Sequence, residues 1–379
     1  MKQIYNKKLV VLNFLIDHRV GGPHKYVDGL STSLQDSVIS INFTCGKSKW
    51  CKNSLLNFRK ISKFLYPFEV FLNIFLASKF IYKYKNSNKF NLIICIHGVH
   101  NIAPSIAAWL MGVPSILLVH ESMKSLSIFA AVTKLFVRLN KGNFLSVSLF
   151  GAKQYNIENA QIVNSPVDLK YWNIDGLPKR NSYNGTGPFK IIFVGNLSRI
   201  KNIDGLINSL KKIDFEICLN IIGSSIDEEY TNYLIKISKN LTASNKYLDI
   251  NFSGWRESAD IKSAIYDADL FIMTSHSEGC PIAMVEAISL GCLPLVTKVG
   301  DVEDFLSPIS QSFLINGHTE EHISASLVKI KKYIESINAH DLNLMRENLR
   351  FVAEDKFDIS NISKIFYLNY QKTLSQYYE

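Results

Sequence analysis

Short apolar runs alternate with longer segments of helical periodicity along most of the chain. In the first half the strand-like runs are 9–16, 38–43, 92–96, 115–119 and 144–148. Most of them are separated by stretches of helix length, which is typical of βαβ units. Continuous apolar runs are also typical of strands that are buried on both faces of a parallel sheet. We therefore predict an α/β fold with a parallel sheet for this half of the chain.

The alternation stops and then restarts. Segment 173–188 contains several glycines, prolines and asparagines, and we interpret it as an interdomain connection. Apolar residues at helical spacing in 359–379 predict a terminal amphipathic helix. The pattern thus predicts two consecutive α/β units of similar size. The strand-like runs of the second unit are 190–194, 217–222, 248–252, 270–273 and 293–297.

Composition places the chain among ordinary globular proteins, since 47% of its 379 residues are hydrophobic and 20% are charged. The longest apolar stretch, 64–82, is interrupted by Pro67 and Glu69, so we predict no membrane span. The 6 cysteines include no C-x-x-C pair, which favours free thiols in a reducing cytoplasm over a disulfide or zinc framework.

A formal net charge of +9 favours anionic partners. The basic residues are concentrated with interleaved aromatic and aliphatic residues in 47–89 and 124–141, and Glu69 is the only acidic residue between Lys47 and Lys89. This pattern suits an anionic membrane surface, and ordinary solvated helix faces are the alternative. A nucleic-acid-binding protein is a second alternative, but no recognised nucleic-acid module accompanies the basic stretches, so we predict no such partner.

The window 275–287 carries the most informative chemistry. Glu278 follows the strand-like run 270–273, and ligands of doubly wound sheets bind at that end of the strands. Pro281 is suited to be the first residue of a helix that runs to Gly291. Glu286 lies inside this otherwise apolar helix and needs a polar partner, which ribose hydroxyls or a basic side chain of the fold would supply.

This window, with Asp269 before it and Gly291 after it, resembles the Glu-x7-Glu region of glycosyltransferase family 4, whose members have the GT-B fold. Six further stretches resemble that family in the same order along the chain: Gly21-Gly22, 119–122, 162–168, 193–202, Ile222-Gly223 and 252–255. The resemblance implies two Rossmann-like doubly wound parallel-sheet domains that face each other across a cleft. It implies an acceptor-binding domain at 1–172 joined by the C-terminal helix at about 357–379, a linker at 173–188, and a donor-binding domain at 189–356.

The resemblance also implies site residues. Catalytic roles fall to Glu278, His120 and Lys201, with Lys201 on the donor diphosphate, Glu278 on hydroxyls of the donor sugar and His120 facing that sugar. Glu286 is implied to bind the ribose. The family usually has arginine where this chain has Asn196, and Arg199 is our candidate to supply that charge. The remaining donor contacts are predicted at Gly21, Gly22, Gly195, Gly254, Gly279, Cys280, Pro281 and Ile282.

The function implied is that of a retaining, hexosyltransferase-type glycosyltransferase that needs no metal and no cofactor. Its donor would be a UDP- or GDP-sugar, and its acceptor a glycan or a polyprenyl-diphosphate-linked glycan. We expect a role in bacterial surface polysaccharide synthesis (O-antigen, lipopolysaccharide or capsule). The location would be cytoplasmic, with attachment to the inner face of the membrane through 47–89 and 124–141.

Three alternative classes of protein fit single features of the sequence. Asp267-Ala268-Asp269 superficially fits a metal-dependent glycosyltransferase, but it precedes a strand, at the end opposite the expected cleft. Gly185-Thr186-Gly187 precedes a strand instead of following one, which disfavours a nicotinamide dehydrogenase. A catalytically inactive nucleotide-sugar-binding protein stays open because of Asn196.

Overall fold

A computed structural model describes residues 8–15, 22–45, 53–55, 66–88, 91–120, 128–178, 180, 183 and 185–379. The chain divides into two compact units. Unit 1 comprises Met1–Pro166 together with Ile359–Glu379, and unit 2 comprises Val167–Asp358. The segment that we predicted as a linker, 173–188, is therefore part of unit 2, and the terminal helix is part of unit 1.

Unit 1 is built on a 7-stranded sheet in which every neighbouring pair of strands is parallel. Its strands are β1 (Leu9–Leu15), β2 (Val38–Cys45), β3 (Asn53–Leu55), β4 (Leu92–His97), β5 (Ser115–Val119), β6 (Asn143–Ser146) and β7 (Gln161–Ile162). Its helices are α1 (Gly22–Ser33), α2 (Tyr66–Asn88), α3 (Ile102–Leu110), α4 (Ile128–Leu139), α5 (Leu149–Gln154) and the last helix, α13 (Ile359–Tyr378).

The strand order of unit 1 is β3-β2-β1-β4-β5-β6-β7, so the direction of winding reverses between β1 and β4. Helices α2, α3 and α4 pack side by side, because α3 contacts both of the others. Their buried residues share one apolar core with alternate residues of β1, β4 and β5. Helix α13 packs against α1, where Tyr26 meets Phe366 edge to face.

Unit 2 repeats this architecture with a 6-stranded, entirely parallel sheet. Its strands are β8 (Phe189–Val194), β9 (Ile217–Ile222), β10 (Leu248–Gly254), β11 (Leu270–Met273), β12 (Leu293–Thr297) and β13 (Leu314–Ile315). Its helices are α6 (Ile203–Ser209), α7 (Glu228–Ser244), α8 (Ser258–Asp267), α9 (Ile282–Ser289), α10 (Val302–Leu306), α11 (Glu320–Ser336) and α12 (Ala339–Phe357). The order β10-β9-β8-β11-β12-β13 reverses between β8 and β11, as in doubly wound dinucleotide-binding sheets.

One detail of the predicted helix after β11 is wrong. Pro281 does not begin the helix but precedes it as the N-cap residue, with φ −75° and ψ 97°, because its backbone is extended. The predicted stop at Gly291 is confirmed, since the helix ends at Ser289 and Leu290 follows as its C-cap. Gly291 has φ +69°, a left-handed conformation that terminates helices and that glycine adopts without strain.

The described part of the chain contains no helix that is long and apolar enough to cross a bilayer.

Candidate functional site

Two loops of unit 2 meet where the winding of its sheet reverses. One loop follows β8 and the other follows β11, and one backbone hydrogen bond and two contacts of a side-chain hydroxyl join the loops. The amide of His276 donates to the carbonyl of Ile200 at 2.8 Å. The Thr274 hydroxyl lies 3.1 Å from the carbonyl of Lys201 and 3.0 Å from that of Asn202. The crevice at such a reversal is where ligands of open parallel sheets bind.

These loops bring Lys201 and Glu278 together. Lys201 Nζ lies 2.6 Å from Glu278 Oε1, and the Ser275 hydroxyl donates to the same oxygen, also at 2.6 Å. Glu278 is only 9% exposed. A carboxylate with little access to water is stabilised by an ammonium group and a hydroxyl donor. Both of the side chains that donate to Glu278 in the described part of the chain bind Oε1.

Two glycines allow the backbone around this pair to pack closely. A Cβ atom on Gly223, after β9, would lie 1.8 Å from the carbonyl oxygen of Gly195. A Cβ atom on Gly300 would lie 2.6 Å from the carbonyl oxygen of Glu278, and Gly300 has φ +59°. A larger residue at either position would therefore push a site loop out of place.

The loop after β8 positions its polar residues differently. Lys201 turns towards Glu278, whereas Arg199 turns towards α7. The Arg199 guanidinium lies 4.9 Å from the ring centroid of Tyr230, and its Nε is 3.8 Å from Asp227 Oδ2. Asn196 follows Gly195 directly and is partly buried. The structure thus brings Lys201, but not Arg199, to Glu278.

The other residues of unit 2 that we predicted as donor contacts lie in the loop that carries Glu278, in helix α9 or at the end of strand β10. Glu286 is 3% exposed in α9, directly after the loop that carries Glu278. Gly279 and Cys280 are partly buried within that loop, Pro281 ends it, and Ile282 is the first residue of α9. Gly254 ends β10 with φ +66°, and its carbonyl accepts a 2.9 Å hydrogen bond from Gly223.

In unit 1 the candidate residues lie at the corresponding reversal, between β1 and β4. His120 directly follows β5, and its Nε2 is 3.0 Å from Nδ1 of His97 at the end of β4. His97 Nε2 is in turn 3.2 Å from Asn13 Oδ1 in β1, and Asn13 Nδ2 donates to Asn42 Oδ1 at 3.0 Å. Gly22 begins α1, and Gly21 lies outside the described residues.

These contacts determine which nitrogen of each imidazole carries the hydrogen. The Asn13 oxygen is an acceptor, so His97 Nε2 carries the hydrogen and His97 Nδ1, in a neutral ring, carries the lone pair. His120 must then donate through Nε2. Its Nδ1 consequently carries a lone pair and acts as a hydrogen-bond acceptor.

Desolvation keeps both rings neutral. Burial, with His24 nearby, lowers the pKa of His120 to about 3. Burial and the neighbouring His120 lower the pKa of His97 well below its usual value. A proton on either ring would lie in a poorly hydrated cluster beside other imidazoles, and such a charge is unfavourable.

The aspartates considered as metal ligands lie at the other end of the sheet. Asp269 Oδ2 accepts a hydrogen bond from the amide of Lys190 at 2.9 Å, at the amino ends of β8 and β11. Burial raises the pKa of its carboxyl group. Asp269 therefore joins two strands of the core.

Sequence reasoning missed several residues that shape these clusters. Ser275, Thr274 and Gly300 support the Glu278 loop, and Asn13 supports His97. Asn13 is the polar residue that interrupts the first apolar run, which was an available signal. Ser275 lies inside the informative window and was not given a role.

Two parallel-sheet α/β units with these strand orders have the GT-B fold of glycosyltransferase structures, so the predicted fold class is confirmed. Residues 178–339 match the family model described as "Glycosyl transferases group 1", and this range includes both Lys201 and Glu278.

Similarity to individual proteins extends this result. A glycogen synthase from Natranaerobius thermophilus is 27% identical over 198 residues, a match that spans 50% of this chain and 35% of that enzyme. A glycosyltransferase from Rickettsia africae ESF-5 has a TM-score of 0.76 at 17% identity, with 98% of this chain and 99% of that chain covered. Anabaena Alr3699/HepE in complex with UDP-glucose has a TM-score of 0.72 at 14% identity, covering 97% and 100%. At these identities the structural likenesses establish a common fold.

Proposed function

We propose that this protein is a retaining, hexosyltransferase-type glycosyltransferase of family 4 that uses a nucleotide-diphosphate sugar as donor. The observation that carries the proposal is the Lys201–Glu278 pair, 2.6 Å apart, at the reversal point of the unit 2 sheet. The site offers one ammonium group and one carboxylate side by side. These are the groups needed to hold a diphosphate and a sugar hydroxyl that are joined in one molecule.

Each residue has a distinct role in the proposed reaction. Lys201 neutralises negative charge that grows on the leaving diphosphate, and the amino end of α9 adds its positive dipole. Glu278 accepts hydrogen bonds from hydroxyls of the transferred sugar. Glu286, buried in α9, binds the ribose. Because these side chains and the helix dipole stabilise the charge of the leaving group, we propose that the transfer requires neither a metal ion nor a cofactor.

Uridine is the nucleoside to test first, since Anabaena Alr3699/HepE, which shares the fold, was crystallised with UDP-glucose. The proposed acceptor is a glycan or a polyprenyl-diphosphate-linked glycan of a surface polysaccharide pathway, with the reaction at the cytoplasmic side of the membrane. Retention is proposed through a front-face displacement, in which the departing phosphate helps to remove the proton of the acceptor hydroxyl.

Donor binding and turnover test this proposal together. UDP, GDP, UDP-glucose and GDP-mannose would be titrated calorimetrically in EDTA, and donor turnover would be followed by release of the nucleoside diphosphate. We expect Lys201→Ala to weaken binding of the nucleoside diphosphate, and Glu278→Gln to lower turnover by about 100-fold, the scale of losing one preorganised polar contact. Glu335→Gln is the matched control, because Glu335 pairs with Lys331 at 2.5 Å on α11.

Three results would contradict the proposal. The first is the absence of any nucleotide binding, and the second is an equal effect of Glu335→Gln and Glu278→Gln. The third is activity that EDTA abolishes and Mn²⁺ restores. Inversion at the anomeric carbon, read from the coupling constant of the product by NMR, would contradict retention alone.

An inactive donor-binding protein is the second candidate, and one observation favours it. Asn196 stands where the resemblance implies arginine, and Arg199 is engaged by Tyr230 and Asp227. Donor binding that depends on Lys201, without transfer or hydrolysis of the donor, would select this candidate.

A further inference from the structure

Helix α2 presents an aromatic stripe to solvent. Phe68, Phe71 and Phe75 are all more than half exposed, with Tyr82 further along the same stripe. On the opposite side Glu69 is 4% exposed, and Asn73 is also buried, among the apolar residues that α2 contributes to the core. A surface helix normally exposes polar residues on the side that faces away from the core. The aromatic rings on this exposed side indicate that the surface meets an apolar partner.

The neighbouring helices continue the same surface. Helix α4 exposes Ile128, Leu135 and Leu139, while Thr133 on its inner side is buried. Helix α3, which packs between α2 and α4, exposes Trp109 and Leu110 at its end. We call the exposed side of α2, α3 and α4 the helical face of unit 1. Contiguous apolar area of this kind marks interaction sites on soluble domains.

The helical face is also basic. Helices α3 and α4 contain no acidic residue, and the single carboxylate of α2, Glu69, is buried. Lys79 and Lys83 lie along α2 and are exposed, and Arg138 is exposed on α4. Aromatic and aliphatic side chains bordered by cations, with no exposed anion on these three helices, match the interface between headgroups and acyl chains of an anionic bilayer.

We propose that the helical face of unit 1 binds the surface of membranes that contain anionic phospholipids. Phe71 and Phe75 enter the boundary of the acyl chains, and the lysines of α2 and Arg138 of α4 contact lipid phosphates. The attachment that we propose is peripheral and reversible, because it rests on side chains at the surface of folded helices. This proposal concerns unit 1 alone and does not depend on the donor chemistry of unit 2.

Charge complementarity selects lipid over the other possible occupants. A second copy of this chain would place two basic faces opposite each other, which is unfavourable. Single-stranded nucleic acid also pairs cations with aromatic rings, but aliphatic side chains such as Ile128 and Leu139 offer bases no stacking surface. An anionic bilayer satisfies both the basic and the aliphatic parts of the face.

Vesicle flotation tests the proposal on the full-length protein. Vesicles of phosphatidylcholine alone would be compared with vesicles that also contain phosphatidylglycerol. We expect binding only to the anionic vesicles, weakening as salt rises past the ~0.1 M at which the Debye length is about 10 Å. The double variant Phe71→Ser/Phe75→Ser should bind at least about tenfold more weakly, from the apolar area that it removes.

A matched control separates the face from general surface hydrophobicity. Phe351 on α12 is 66% exposed, against 68% for Phe71 and 67% for Phe75, so Phe351→Ser removes an equally exposed ring from unit 2. The proposal requires Phe351→Ser to bind vesicles as the unmodified protein does. Lys79→Glu/Lys83→Glu should abolish the preference for anionic lipid.

The proposal is overturned if no vesicle composition retains the protein, or if all variants float alike. It is also overturned if Phe71→Ser/Phe75→Ser changes the mass in solution measured by light scattering, since the face would then be an interface between copies of the chain. Tight binding of single-stranded oligonucleotides that is lost in the same variant would assign the face to nucleic acid instead. Unchanged circular dichroism spectra establish that each variant is folded.

Discussion

The two candidate clusters differ in charge, since one contains an ion pair and the other contains neutral imidazole rings. In unit 2 the Glu278 carboxylate is kept beside a cation and a hydroxyl donor, Lys201 and Ser275, each 2.6 Å from Oε1. In unit 1 the His97 and His120 rings are kept without charge by burial. The Lys201–Glu278 cluster is therefore suited to electrostatic binding, whereas the His97–His120 cluster is suited to hydrogen bonds between neutral groups.

The tautomers of the histidine cluster can be observed directly. In protein labelled with ¹⁵N-histidine, we expect His97 and His120 to be neutral Nε2–H tautomers, because Asn13 Oδ1 accepts from His97. Asn13→Leu should remove that preference and mix the tautomers of both rings. Long-range ¹H–¹⁵N correlation spectra distinguish the two forms. If the tautomers are unchanged in Asn13→Leu, the contact between Asn13 and His97 does not determine them.

The lowered pKa of His120 also predicts a pH dependence of stability. Its pKa falls from 6.5 to about 3 on folding. Between these values the unfolded chain binds more protons, so the free energy of unfolding decreases as pH falls, by at most about 1.4 kcal/mol per pH unit for one histidine.

We expect thermal unfolding midpoints measured between pH 7 and pH 5 to fall more steeply for the unmodified protein than for His120→Asn. His340→Asn, which removes an exposed histidine of unit 2, should leave the slope unchanged. Equal slopes in all three proteins would mean that His120 is not held neutral by the fold.

At the scale of elements, the site depends on loops that parallel strands place at one edge of a sheet. Lys201 and Glu278 are 77 residues apart in the chain and meet because β8 and β11 are neighbours. Gly223, on the loop after β9, lies directly against the carbonyl of Gly195. The close approach of these two backbones holds the loop that begins with Asn196.

A side chain at Gly223 should disturb donor binding as well as stability. We expect Gly223→Ala to weaken UDP binding, because its Cβ would lie 1.8 Å from the Gly195 oxygen and would displace that loop. Gly187→Ala is the control, since Gly187 has φ +74° with nothing within 4 Å of a Cβ, and its cost is backbone strain of about 1 kcal/mol. Calorimetric affinities for UDP measure the difference. An affinity in Gly223→Ala equal to that of Gly187→Ala would contradict the steric argument.

The apolar runs of the sequence predicted the longer strands but not the two-residue strands. Strands such as β5, β11 and β12 coincide with their apolar runs because both faces of each strand are buried. Strands β7 and β13 have 2 residues each, too few to show a period. The Lys201–Glu278 pair could be assembled only through a family resemblance, since the reversal of strand order leaves no local signal. Asn13 does leave a local signal, since it interrupts an apolar run, but its partner His97 lies 84 residues away, so the pattern did not show which residue it contacts.

At the scale of the whole molecule, unit 1 is discontinuous and unit 2 is not. Unit 2 is one uninterrupted stretch, Val167–Asp358, whereas unit 1 needs Ile359–Glu379 in addition to Met1–Pro166. Helix α13 contributes Phe366 and Tyr370, both buried, to the core of unit 1. Burial of a large side chain stabilises a fold by about 1.5–3 kcal/mol, so this helix accounts for a large part of the stability of unit 1.

A chain that ends at Asp358 should separate the two units experimentally. Without α13, Tyr26 loses its edge-to-face contact with Phe366, and we expect unit 1 to become sensitive to protease. Unit 2 should keep its UDP-induced rise in unfolding temperature, because Lys201, Glu278 and Glu286 all lie within it. Limited proteolysis with and without UDP measures both effects. Protease resistance of unit 1 in the shortened chain would contradict the role given to α13.

The position of α13 has a consequence for biosynthesis. Unit 2 leaves the ribosome complete, whereas the first 166 residues must wait for the whole of unit 2 to be translated before their last helix emerges. At about 5–20 residues per second this delay is on the order of ten seconds or more. During that time a nascent chain exposes the apolar groove between α1 and its missing neighbour. The N-terminal part of unit 1 is therefore expected to depend on chaperones that bind exposed apolar segments of nascent chains, and termination of synthesis after Asp358 would yield a complete unit 2 joined to an incomplete unit 1.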